Sequence, residues 1–330
     1  MELRLASGNG PVIRTVLRSP VRDAKPSEIP VIDLSRLFSD TLADREAVAS
    51  QIHDAASNMG FFYVKNHGIP LQEIRGAYEA TLDFFRQDPA QKIKADATEG
   101  PFDSGWRGPR THVLYEARLD PTVEDAASIP HEAAQSIGQG KPAFKGTEQV
   151  PQLKESLERY YISCLVLARA LTRAFALSPG LSEYAFDSKV RYPDASLEDD
   201  VGGLQVLNHE GQWIAAQPIE GTLVVNIGDY MQRITNDRHV STVHRAKNWS
   251  GRERVSMPFF WGFGLHESCE VLESCLGEGG TSKYEEIRYL NSRNLVTGLP
   301  PFNSKEFQPQ FPHLHFLFSA HQARPAGPLF

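Results

Sequence analysis

GDYMQRITNDRHVSTVHRAKNWSGRERVSMPFFWGFG, residues 228–264, decides how this chain is read. It contains two strand-like segments, STVHRA and RVSMPFFWGF, rich in β-branched and aromatic residues. His244 lies in the first; Arg254 and Ser256 follow it by ten and twelve residues in the second. Arg254 and Ser256 are two apart, so a strand carries both side chains on one face. Turned inward, that face offers a guanidinium fork and a hydroxyl, which suit a carboxylate. A histidine beside them could ligate a metal. A lone strand histidine is more often structural, and Arg-x-Ser by itself is uninformative. The stretch therefore reads as one half of a metal site.

Working outward, strand texture extends back through GGLQVLN (202–208), a His-Glu-Gly turn, QWIAAQP (212–218) and TLVVNIGD (222–229). Upstream the texture is helical. ADREAVASQIHDAASNMG (43–60) puts Val48 and Ile52 on one face, and Gly60 can end it. LQEIRGAYEATLDFFRQ (71–87) stops before Asp88-Pro89. The longest periodic segment, 150–177, repeats apolar residues every three to four positions. Short strands are expected at IPVIDL (29–34) and from Phe61. Residues 95–150 read as long loops, and a helix is expected at KYEEIRYLNSRN (283–294). The fold class is α+β. Four regions follow: a flexible arm at 1–28, an N-terminal helical and loop region at 29–150, a long helix plus β core at 151–265, and a C-terminal helix with a Pro/Phe-rich tail at 266–330.

Bulk properties narrow the class. A net charge of -7 argues against a nucleic-acid surface, which is ordinarily basic. No apolar run comes near the ~18 residues of a membrane span, and the N-terminus has no signal-type apolar core. The three cysteines, Cys164, Cys269 and Cys275, form no CxxC pair, so a reducing, cytoplasmic location is expected. Neither a P-loop nor a GxSxG elbow is present.

NIGDYMQRITNDRHVSTVHRAKNWSGRERVSMPFF resembles the second half of the iron(II)/2-oxoglutarate-dependent oxygenases of the isopenicillin N synthase-like group. IPVIDLS, GFFYVKNHGIP, RYP (191–193) and GGLQVLN resemble further landmarks of that group, in the expected order from about Ile29 to Asn294. The resemblance implies a double-stranded β-helix (jelly-roll) core with flanking helices. It implies Fe(II) as cofactor and 2-oxoglutarate as cosubstrate, with ascorbate a further candidate. By the same likeness His244 is a metal ligand, Arg254 and Ser256 bind the distal carboxylate of 2-oxoglutarate, and Tyr192 hydrogen-bonds the cosubstrate. No catalytic residue is assigned beyond the metal site.

The family's site also needs a His-x-Asp, which with the second histidine forms a 2-His-1-carboxylate triad. Only DASLEDDV separates Pro193 from Gly202. A segment of roughly 25 residues is expected there at ordinary strand lengths. None of the eleven histidines is followed two residues later by Asp or Glu. One core strand region is thus read as deleted, which would leave ladder groups unpaired at a sheet edge. His209-Glu210, Asp199-Asp200, His239 and His313-x-His315 are the remaining donors near or after the junction. The function expected is oxidation of a small organic molecule in specialised metabolism (hydroxylation, desaturation or ring formation) by a monomer that binds neither nucleic acid nor membrane. The alternative is an inactive relative, or a truncated product, that binds a ligand or partner without oxygen chemistry.

Overall fold

The computed structural model of the chain describes residues 1–5, 12–95, 113–116, 144–199, 203–246, 256–264, 266–288 and 316–321. The strands are β1 (Glu2–Leu5), β2 (Val12–Thr15), β3 (Arg22–Asp23), β4 (Val31–Asp33), β5 (Phe61–Lys65), β6 (Val113–Glu116), β7 (Asp194–Asp199), β8 (Gln205–Leu207), β9 (Trp213–Ala215), β10 (Thr222–Ile227), β11 (His244–Arg245), β12 (Ser256–Gly262), β13 (Ser268–Cys269), β14 (Ile287–Arg288) and β15 (Phe316–His321). The helices are α1 (Leu42–Asn58), α2 (Leu71–Phe85), α3 (Pro89–Lys92), α4 (Gln152–Leu177) and α5 (Asp229–Ile234).

Three layers result. A seven-stranded sheet runs in the order β4-β5-β10-β15-β12-β7-β6, and a four-stranded sheet in the order β11-β8-β9-β3. Strand alternation explains why the larger sheet is apolar on both sides. Phe62 and Val64 of β5, Leu223, Val225 and Ile227 of β10, and Met257, Phe259 and Trp261 of β12 share one core with α1, α2 and α4. The alternate residues Phe61, Tyr63 and Val224 instead pack with Val206 and Ile214 of the smaller sheet. The smaller sheet's outer face holds Leu207 and Trp213, covered by Leu3, Val16 and Val243.

Helix α4 is 26 residues long and by length and composition alone could cross a membrane. Here its buried face, from Leu153 to Phe175, lies in the helix-side core. Trp261 of β12 anchors it: the indole Nε1–H donates to Thr172 Oγ1 at 2.9 Å.

Three expectations need correction. The described residues of the arm, 1–5 and 12–28, are built into the fold. β1 and β2 form an antiparallel hairpin, and β3 pairs in parallel with β9. The ends are tied by Arg22, which grips Glu28 through two hydrogen bonds of 2.7 and 2.6 Å. No helix forms over 283–288, where β14 instead pairs with β13; residues 289–294 lie outside the described residues. Within the region read as loops, β6 adds an edge strand beside β7.

Candidate functional site

His244 begins β11, the terminal strand of the smaller sheet, in register with Val206 of β8. The chain reaches it through a fixed turn. Asn236 and Asp237 have φ of 54° and 68°, left-handed values that Asn and Asp tolerate better than most residues. Asp237 accepts hydrogen bonds from Gln232, Tyr284 and Lys283 at 2.9, 2.7 and 2.8 Å. Asn236 Nδ2 donates to the Cys275 carbonyl at 3.1 Å. Downstream, the Thr242 hydroxyl donates to the Met59 carbonyl at the end of α1, at 2.6 Å.

The ring of His244 meets Phe61 edge-on, with centroids 5.2 Å apart. Phe61 belongs to the core between the sheets, so His244 faces that interior. Its neighbour Arg245 faces the other way and lies 4.0 Å over the Trp213 ring. Burial there lowers the Arg245 pKa from its usual value. His244 Nδ1 lies 2.9 Å from the Thr242 carbonyl oxygen. A carbonyl only accepts, so the proton sits on Nδ1 and Nε2 carries the lone pair, the tautomer of a metal-ligating imidazole.

Ser256 opens β12 and is buried. Met257, Phe259 and Trp261 belong to the helix-side core, so alternation turns Ser256 toward the interior that His244 faces. Arg254 lies outside the described residues. Tyr192 is at the opposite end of β12: β7 pairs Asp194 with Gly262, and the Tyr192 carbonyl abuts Gly264. Six strand steps separate Ser256 from Gly262, roughly 20 Å. The Tyr192 ring instead lies 6.3 Å from that of His266 and under the Arg191 guanidinium. The fold thus brings His244 and Ser256 to one interior and sets Tyr192 apart from Ser256.

The other donors do not join His244. His209 is exposed, and its Nε2–H donates to the Asn58 carbonyl at 2.6 Å. His239 is buried on the helix side, 3.2 Å from His53 Nδ1 and 5.8 Å ring-to-ring from Phe175. Asp200, His313 and His315 lie outside the described residues, as does the Asp199 side chain. Among the described residues no three His, Cys, Asp or Glu side chains gather as a metal would need. A single imidazole holds Fe(II) weakly, because that ion stands low in the divalent affinity order. Among the described residues, the donors beside His244 therefore do not complete a ferrous site.

Two features were not foreseen from sequence. One is the Thr242 carbonyl that fixes the His244 tautomer; its signal was local, two residues upstream. The other is the His53–His239 pair, which joins residues 186 apart and left no sequence signal.

Two family domains match. The non-haem dioxygenase N-terminal domain matches residues 29–156, and the 2OG-Fe(II) oxygenase superfamily domain matches residues 182–262. A 2-oxoglutarate-Fe(II) type oxidoreductase, ppzC, of Metarhizium majus is 56% identical, over 89% of this chain and 94% of that protein. A homoarginine-6-hydroxylase of Arabidopsis thaliana is 30% identical, over 79% and 94%. Among solved structures, a full-length Neurospora crassa protein in complex with alpha-KG and 5-formyluracil superposes with a TM-score of 0.64 at 23% identity, over 82% of this chain and 96% of that one. The rice dioxygenase for auxin oxidation gives 0.63 at 20%, over 82% and 95%. These structures have a jelly-roll core, the arrangement of the two sheets here. The alignments also measure a shortfall. The Metarhizium majus alignment runs over 351 positions, so about 57 of them fall opposite gaps in this chain. For the Arabidopsis thaliana protein the figure is about 53.

Proposed function

Because the chain belongs to the 2OG-Fe(II) oxygenase superfamily, we propose that its reaction is oxidation of a small organic molecule in specialised metabolism, by hydroxylation, desaturation or ring formation. The family uses Fe(II) and 2-oxoglutarate. The observation that carries the reading is the 56% identity with a fungal 2-oxoglutarate-Fe(II) oxidoreductase over 89% of the chain. His244 is assigned as the imidazole ligand, with Ser256 and Arg254 as the carboxylate-binding pair; Tyr192, at the far end of β12, is not assigned to the cosubstrate. A monomer in the cytoplasm, binding neither nucleic acid nor membrane, is the accompanying proposal, supported by the acidic charge.

A second reading has its own observation. No His-x-Asp or His-x-Glu exists in the sequence, and the described donors complete no metal site. On that reading the chain binds a dicarboxylate without oxygen chemistry. The deciding experiment incubates the purified chain with Fe(II), 2-oxoglutarate, ascorbate and pools of small nitrogenous and aromatic compounds, measures succinate, and measures 2-oxoglutarate binding by calorimetry. Succinate formation that His244→Ala abolishes supports the oxidoreductase. Saturable binding without succinate supports the second reading. Absence of both refutes the assigned carboxylate pair.

A further inference from the structure

Strand β15 is the element that joins the larger sheet. It pairs antiparallel with β10 from Leu223↔Ala320 to Ile227↔Phe316, and with β12 from Ser256↔His321 to Trp261↔Phe316. The other neighbour of β10 is β5, and the other neighbour of β12 is β7. Without β15 the sheet divides into β4-β5-β10 and β12-β7-β6. Each half would then present a row of unpaired N–H and C=O groups inside the core, which native folds avoid.

The register is specific. Ala320 lies between Leu223 and Met257, Phe318 between Val225 and Phe259, and Phe316 between Ile227 and Trp261. All six flanking residues belong to the helix-side core. A slip of one residue would exchange the two rows of the strand. The segment comes from far along the chain, with 27 residues between Arg288 and Phe316. Meanwhile the described residues from Pro193 to Asp199 hold one strand, β7, and the alignments with two relatives set over fifty of their positions opposite gaps somewhere in this chain.

We propose that the space between β10 and β12 is a strand-acceptor groove. Phe316–His321 fills it as a replacement for core sequence the chain has lost, and the groove accepts the same segment in trans as an extended apolar peptide. Recognition is β-augmentation on two edges at once: main-chain hydrogen bonds supply affinity, and the alternating rows supply register. The inference is independent of iron and of 2-oxoglutarate, so succinate formation and 2-oxoglutarate binding neither support nor refute it.

The first test uses the full chain. Hydrogen exchange followed by mass spectrometry should show 316–321 protected together with 222–227 and 256–262, at least ~100-fold beyond unstructured rates. Exchange of 316–321 at unstructured rates overturns the proposal. The second test compares three variants. Phe318→Pro, which removes a ladder N–H, should release protection in β10 and β12, whereas a chain ending at His321 should keep it. A chain ending at His315 should recover soluble from urea only when a synthetic peptide of residues 314–322 is present, and should bind that labelled peptide at one per chain. Equal recovery and an unchanged unfolding midpoint without the peptide would refute the groove.

Discussion

Acidification should loosen this fold chiefly through His239. Its side chain is 1% exposed, and Nε2 lies 3.2 Å from His53 Nδ1 and 3.4 Å from the Ser178 hydroxyl. Nδ1 is buried with no partner. A proton added there would be charged, desolvated and near both His53 and Arg238. Burial first, and the neighbouring His53 and Arg238 second, push its pKa down to about 3. The unfolded chain titrates near the ordinary value of about 6.5. The folded-state pKa is the lower one, so the unfolded state takes up the proton first. Stability is therefore full above about pH 6.5 and falls as pH drops toward 3. The slope is about 1.4 kcal/mol per pH unit, giving a loss of about 2 kcal/mol by pH 5. The depressed carboxylate Glu28, with a pKa of about 2, loses stability only below its unfolded value of about 4.5, under the pH 5 endpoint. His67, also lowered by burial, adds to the same slope. Urea unfolding at pH 7.5 and 5.0 measures the total, and the same pair of curves on His239→Gln isolates the His239 share. An equal pH loss in wild type and variant would refute the assignment.

Other perturbations have separate causes. Gly60 ends α1 with φ of 69°, and a Cβ there would stand 2.0 Å from the Val240 carbonyl oxygen. Gly60→Ala should cost at least ~1–3 kcal/mol in chemical denaturation. Thr172→Val deprives the buried Trp261 Nε1–H of its acceptor, and should cost about 1–3 kcal/mol with a shift in Trp fluorescence. Arg45 forms a two-pronged ion pair with Glu183, at 2.7 and 2.9 Å, joining α1 to the segment after α4. Glu183→Ala should lower the thermal midpoint slightly, since solvent screens the pair; no shift would show the pair to be idle.

Sequence alone determined the features whose signals are local. Apolar spacing gave α1, α2 and α4 to within two residues of the observed ends. β-branched runs located β8, β9, β10 and β12. The ten-residue step from His244 to Arg-x-Ser, together with the landmark blocks, identified the oxygenase family, and a count of histidine neighbours exposed the lack of His-x-Asp. Tertiary structure decided what depends on pairing across long separations. The arm at 1–28 reads as loose because its segments are short and lack periodicity; Leu3 and Val16 cover Trp213 and Leu207, and β3 pairs with β9. The segment 283–288 carries a helical pattern, yet β13 offers it a partner. His239 reads as an ordinary turn histidine until α1 and α4 enclose it. The unpaired edges that a deleted core strand would predict do not open between β10 and β12, because β15 arrives from the far end of the chain to pair with both. A strand's neighbour is chosen by which backbone edges would otherwise stay unsatisfied in the core, and that choice is written in the whole ladder, not in six residues of local sequence.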